Sequence, residues 1–178
     1  MIQITHTEPT PNPNAFKFMT DTTLVKHGAL SFESPGAAKD ERLAREIFAL
    51  GGINSVYLQE NFVSVNAQPG TDWDKVRATV QESLTFFTPV EGSAPQPAGE
   101  VNADELMVKV NEVVDRFVRP ALASDGGGLE IMDIEGNAVL VRYQGACGGC
   151  ASSTRGTLMA IENLLRDQVD PNLTVVAV

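Results

Sequence analysis

Cysteine is scarce in this chain: there are two among 178 residues, Cys147 and Cys150, three positions apart. Two thiols that close in sequence cannot staple a small secreted fold, so the disulfide-framework class is excluded and a reducing compartment would keep both available for metal or redox chemistry. Histidine is equally scarce, and His6 and His27 stand far from the cysteines with no second ligand type beside them. Both read as surface or packing residues. No apolar run approaches the roughly 18 residues of a membrane span, so no membrane association is expected. Basic side chains are in deficit, 13 Lys and Arg against 23 Asp and Glu for a net charge of -10. That balance opposes binding to nucleic acid, whose affinity comes largely from counterions displaced by a basic surface. The opening MIQITHTEPTPNPNAFKF lacks a basic segment followed by an apolar one, and it lacks the Arg-rich, acid-poor character of a presequence, which places the chain in the cytoplasm. No nucleophile with an adjacent base and no phosphate-cradling loop is present, so an enzyme is not expected and no catalytic residue is assigned.

What remains is an ordinary globular composition, 43% hydrophobic and 20% charged, with a composition break near its middle. Thr88 to Glu105 carries Pro89, Pro95 and Pro97 among small and polar residues without a hydrophobic period, which reads as a flexible linker. The expected organisation is α+β: two small α/β sandwich domains, residues 1–92 and 101–178, joined by a Pro/Gly/Ala linker at 93–100. In the first, the spacing predicts an extended start, a helix from Pro35 to Leu50, a hairpin of Ile53–Leu58 with Phe62–Asn66, and a helix from about Asp72 to Phe87. Trp73 and the Phe86–Phe87 pair fall on the stripe of that second helix and read as core. In the second, Asn102 is a plausible N-cap for a helix through Leu106, Val110, Val113, Val114 and Phe117, bounded by Pro120. A hairpin about Glu135-Gly136-Asn137, a helix through Leu158, Ile161 and Leu165, and a closing strand give the order α-β-β-α-β.

Both cysteines lie in QGACGGCASSTRGTL, where a strand is predicted to end and a helix to begin. Amide N–H groups and the positive end of the helix dipole favour thiolate there, and Gly145, Gly148 and Gly149 leave room for two side chains to face one centre. Thiolates ligate iron–sulfur clusters and also zinc; a dithiol at a helix start also suits a thiol–disulfide oxidoreductase, and a plain pair of cysteines needs no function at all. A tetrahedral metal or a cluster wants four ligands. If Cys147 and Cys150 hold one, the simplest completion is a second copy of the chain, four thiolates about a two-fold axis, as a 4Fe-4S cluster requires. Asp125-Gly126-Gly127-Gly128 reads as a turn whose backbone only glycine suits, and Ser152, Ser153 and Thr154 read as helix caps. Arg142 and Arg155 read as solvated surface residues.

Arg119 to Leu165, with its Arg-Pro, its Asp-Gly-Gly segment and Gly-Ala-Cys-Gly-Gly-Cys followed by small hydroxyl residues, resembles the C-terminal domain of the NifU-like (Nfu) iron–sulfur cluster proteins. Thr7 to Phe18, TEPTPNPNAFKF, resembles the start of the domain that precedes it in many members. The resemblance implies a cluster carrier: a homodimer binding 4Fe-4S at Cys147 and Cys150 of each subunit, with 2Fe-2S and zinc as the alternatives, loaded by an upstream scaffold protein and unloaded to apo-enzymes. Two positions depart from the family pattern, Gly128 where an Asp is common and Ala151 where a Pro commonly follows the second cysteine. Neither removes a ligand.

Overall fold

The computed structural model describes the backbone of residues 1–92, 103–149 and 151–178, and the side chains of these except 103–104, 148–149 and 151–155. The chain separates into two compact units, Met1–Ala94 and Pro95–Val178. The linker expected at 93–100, the N-cap Asn102 and the second cysteine, Cys150, lie outside the described residues.

The first unit is a five-stranded antiparallel sheet carrying two helices. Its strands are β1 (Ile4–Pro9), β2 (Ala15–Thr20), β3 (Ala29–Phe32), β4 (Ile53–Gln59) and β5 (Phe62–Ala67), in the spatial order β1-β2-β5-β4-β3. Register follows from alternation: Phe18, Val63, Val65, Val56 and Leu58 share one face and are sealed by Leu43 and Ile47 of α1 (Arg42–Phe48) and Val76, Val80 and Leu84 of α2 (Trp73–Leu84). The β4–β5 hairpin turns at Glu60, which takes φ of 35° and whose carbonyl accepts the amides of Leu24 and Val25. The segment leaving α2 is tied back to the same loop, with Val90 N donating to the Leu24 carbonyl at 2.9 Å and Gly92 N to the His27 carbonyl at 2.9 Å.

Three expectations are corrected here. The helix anticipated from Pro35 starts at Arg42, because residues 34–40 fold as turns and the Glu41 carboxylate caps the helix by accepting Leu43 N. The second helix stops at Leu84, and Phe86 is 64% exposed, lying under the Arg42 guanidinium with Cζ 4.8 Å from the ring centroid. Trp73 is partly buried, packed edge-on against Phe16 at 4.7 Å between centroids.

The second unit has the order α-β-β-α-β, with its first helical element built in three pieces: α3 (Ala103–Val113), a π turn (Val114–Val118) and α4 (Arg119–Ser124). Pro120 does not end the rod. It sits in the first turn of α4, where a missing N–H and a fixed φ are tolerated. The π turn adds a residue to the helical repeat, so Val114, Val118 and Leu122 face the core while Phe117 is 48% exposed. β6 (Gly127–Glu135) and β7 (Ala138–Gly145) form the hairpin, turning at Gly136 with φ of 61°. After β7 come a 3-10 turn (Ala146–Gly149), α5 (Ala151–Gln168) and β8 (Thr174–Ala177), which pairs in parallel with β7. Ile161 and Leu165 of α5 close the core against Leu129, Ile131, Val139 and Val141.

Candidate functional site

The site is the place where the start of β6 meets the end of β7. Gly127 pairs with Gly145, Leu129 with Tyr143 and Ile131 with Val141. Beyond Gly145 the chain leaves the strand with φ of 63° at that residue, a left-handed turn that a side chain would oppose by roughly 1–2 kcal/mol. It is then caught at once, since Ala146 N donates to the Gly126 carbonyl at 3.1 Å. That bond fixes where the next residue, Cys147, begins.

Cys147 is half-buried and packs at the margin of the core that includes Tyr143. Its sulfur rests against backbone. A Cβ placed on Gly127 would stand 2.6 Å from Cys147 Sγ, 2.6 Å from the Gln144 carbonyl oxygen and 2.9 Å from Cys147 N. Only glycine can occupy that position without displacing the thiol. The Asp125-Gly126-Gly127-Gly128 segment, read from sequence as a turn with backbone demands, thus has a second task at Gly127: it is the wall against which the sulfur sits. Sequence reasoning missed this pairing. The signal was a run of three glycines upstream of a cysteine hairpin, but the register that joins Gly127 to Gly145 is set by the β6–β7 turn and not by local spacing.

Around this seat the polar groups are mostly accounted for. Gln144 Nε2 donates to Glu130 Oε2 across the hairpin at 3.0 Å. Arg119, the arginine before Pro120, donates from Nε to the Leu129 carbonyl at 3.4 Å and pairs with Asp115, which joins the helical rod to β6. Tyr143 is the exception. It is 9% exposed, and its hydroxyl has no hydrogen-bond partner among the described residues. Burial, and then the charge of the nearby Cys147, push the phenol up to about 12. An orphaned buried hydroxyl costs about 1–3 kcal/mol, so this one calls for an explanation.

Among the described residues no three His, Cys, Asp or Glu side chains gather to hold a metal ion. His6 bonds to Glu8 at 2.9 Å in the first unit, and His27 is exposed there, so neither is brought to Cys147 within the second unit. Arg142 is exposed, and the side chains of Arg155, Ser152, Ser153 and Thr154 lie outside the described residues. Among the described residues Cys147 is thus the one cysteine or histidine at this turn, the second unit having no histidine.

Residues 4–89 match the family described as the scaffold protein Nfu/NifU N-terminal domain, and residues 110–176 match the NifU-like domain. A human protein named as a mitochondrial NFU1 iron-sulfur cluster scaffold homolog is 29% identical over 90% of this chain and 66% of its own length. An Arabidopsis thaliana protein named NifU-like protein 5, mitochondrial, is 29% identical over 92% of this chain and 63% of its own. The chain thus spans less than two thirds of either relative. Among solved structures, a NifU-like protein from Saccharomyces cerevisiae aligns over 52% of this chain and 84% of its own, at 21% identity and a TM-score of 0.44.

Proposed function

Because the chain belongs to the Nfu/NifU family, with the N-terminal domain and the NifU-like domain in that order, we propose that it is an iron–sulfur cluster carrier whose cargo is held between two copies of the chain by Cys147 and Cys150 of each. The observation that carries this reading is the seat of Cys147: a half-buried sulfur at a strand end, backed by glycine backbone, with its position fixed by the Ala146–Gly126 bond. Such a thiol is held in place yet open on one side, which is what a ligand to a transferable group requires.

Ligand arithmetic supplies the rest. A 4Fe-4S cluster takes four cysteine thiolates, each chain has two cysteines, and a two-fold axis brings four together. Shared in this way, the cluster makes two bonds to each protomer and leaves when the pair opens, so the arrangement suits delivery to apo-proteins after loading from an upstream scaffold. A reducing compartment, the cytoplasm by the sequence reading, keeps both thiols available. No turnover chemistry is needed for this role. The first unit, compact and helix-backed, is the natural place for recognition of clients or of the donor.

Anaerobic reconstitution with iron and sulfide tests the reading, with Cys147→Ser beside the wild type. About four irons and four sulfides per dimer, with a brown absorption lost in the variant, are expected. A 2Fe-2S cargo would give half those amounts, and zinc would give no sulfide. A colourless monomer with a reversible Cys147–Cys150 disulfide would overturn the carrier and establish the dithiol oxidoreductase in its place.

A further inference from the structure

We propose that Tyr143 is a positioning residue for the cargo: its phenolic O–H donates a hydrogen bond to the Cys147 sulfur when that sulfur is a cluster-ligating thiolate. The inference rests on the carrier reading for the state of the acceptor, and it adds a protein group that acts on that acceptor.

Register places the two together. The Cβ direction of Gly127 points at Cys147 Sγ, and Gly127 lies on the same sheet face as Leu129, two residues on, because side chains alternate along a strand. Leu129 pairs with Tyr143, so the Tyr143 ring rises from the very face on which the sulfur lies. Gly127 is its diagonal cross-strand neighbour, a separation that aromatic side chains span. Since neither Gly127 nor Gly145 has a side chain, nothing on that rung of the ladder stands between ring and sulfur.

In the unloaded protein the buried hydroxyl has no partner at hydrogen-bond geometry among the described residues, the weakly accepting Cys147 thiol included, so the bond is one that only the loaded site makes. A ligating thiolate is a charged acceptor, and hydrogen bonds to ionised groups are roughly twice as strong as neutral ones. Hydrogen bonds to ligand sulfur also orient the ligand and adjust the cluster it holds. A hydroxyl left unpaired in the empty site and paired in the full one favours the loaded state.

Tyr143→Phe in the full chain removes the hydroxyl and keeps the ring. Wild type and variant are reconstituted together, and iron and sulfide content is read first. Absence of loading in the wild type would sink the carrier reading and this proposal with it. With both loaded, the variant is expected to release iron to a chelator about tenfold faster. Its iron–thiolate stretching bands in resonance Raman spectra are expected to lose the shift that the wild type shows in D2O. The denaturation midpoint of the unloaded variant is expected to equal or exceed that of the wild type, since an unpaired group has been removed. Equal release rates with identical Raman bands would overturn this proposal alone and leave the carrier reading standing. A lower midpoint in the unloaded variant would overturn it too, by showing that the hydroxyl is partnered without cargo.

Discussion

Gly127→Ala tests the seat of the cysteine by filling it. The added methyl group would meet Cys147 Sγ and the Gln144 carbonyl at 2.6 Å and Cys147 N at 2.9 Å, against the 3.4–4 Å of ordinary contact. The sulfur could rotate away, but the carbonyl and the amide belong to backbone that the β6–β7 ladder and the Ala146–Gly126 bond hold in place. The strain therefore cannot be relieved at one flexible atom. Gly127 does not have a positive φ, so the effect is steric and not conformational. Overpacking of this kind costs about 1–3 kcal/mol, and the two backbone contacts argue for the upper end. For a unit of this size that corresponds to a fall in Tm on the order of 10–20 °C. Circular dichroism of the second unit reads it, while the fluorescence of Trp73, the single tryptophan, lies in the first unit and serves as an internal control. Cluster loading should fall further than stability does, because the methyl group displaces the sulfur that is proposed as a ligand. An alanine variant with unchanged Tm and full iron and sulfide content would refute the claim that Gly127 forms the wall of the site.

Other perturbations address the frame. Arg119→Ala should destabilise the second unit by about 1–3 kcal/mol, since it strips the Leu129 carbonyl and Asp115 of a partly buried partner, and Arg119→Lys should recover only part, lacking the planar fork; urea denaturation measures both. Gly92→Ala should lower the Trp73-detected midpoint and leave the second unit unchanged, because a Cβ there would stand 2.5 Å from the His27 carbonyl and 2.7 Å from Ala29 N. The Glu46 carboxyl is held below its usual 4.5 by the Ser83 hydroxyl and then by Arg42, so its contribution is present above pH 4.5 and is lost as pH falls through the depressed value. Glu46→Gln should therefore differ from wild type in urea midpoint at pH 6, and that difference should shrink steadily below pH 4.5.

Much of the frame was legible before any coordinates. The Glu135-Gly136-Asn137 turn announced the second hairpin, and alternation of Leu129, Ile131, Val139, Val141 and Tyr143 told which face it buries. β3 escaped notice because four residues, ALSF, are too few for a period to show. Phe117 was misread for a different reason: a pattern counted at 3.6 residues per turn loses phase when a π turn intervenes, and no residue type advertises such a turn. Phe86 was placed in the core because α2 was carried past Leu84, whereas the helix had already ended and the ring went to Arg42. As for the site, Cys147 was evident from its motif, but its wall at Gly127 is 20 positions upstream and its neighbour Tyr143 looked like one more strand residue. Local reading singles out candidate ligands but not their surroundings, since the surroundings come from pairing across strands.

The π turn at Val114–Val118 bears on how this sequence can change over generations. Each residue added to or removed from a helix rotates everything beyond it by about 100°. Arg119, immediately after the turn, must point at the Leu129 carbonyl, and Leu129 belongs to the strand whose first residue backs the cysteine. The extra residue is thus already part of the alignment between helix and strand. Substitutions along this rod alter packing one position at a time, but a single deletion would swing Arg119 and Leu122 off their partners together. Descendants of this chain should accordingly vary in the letters of this segment far more freely than in its length.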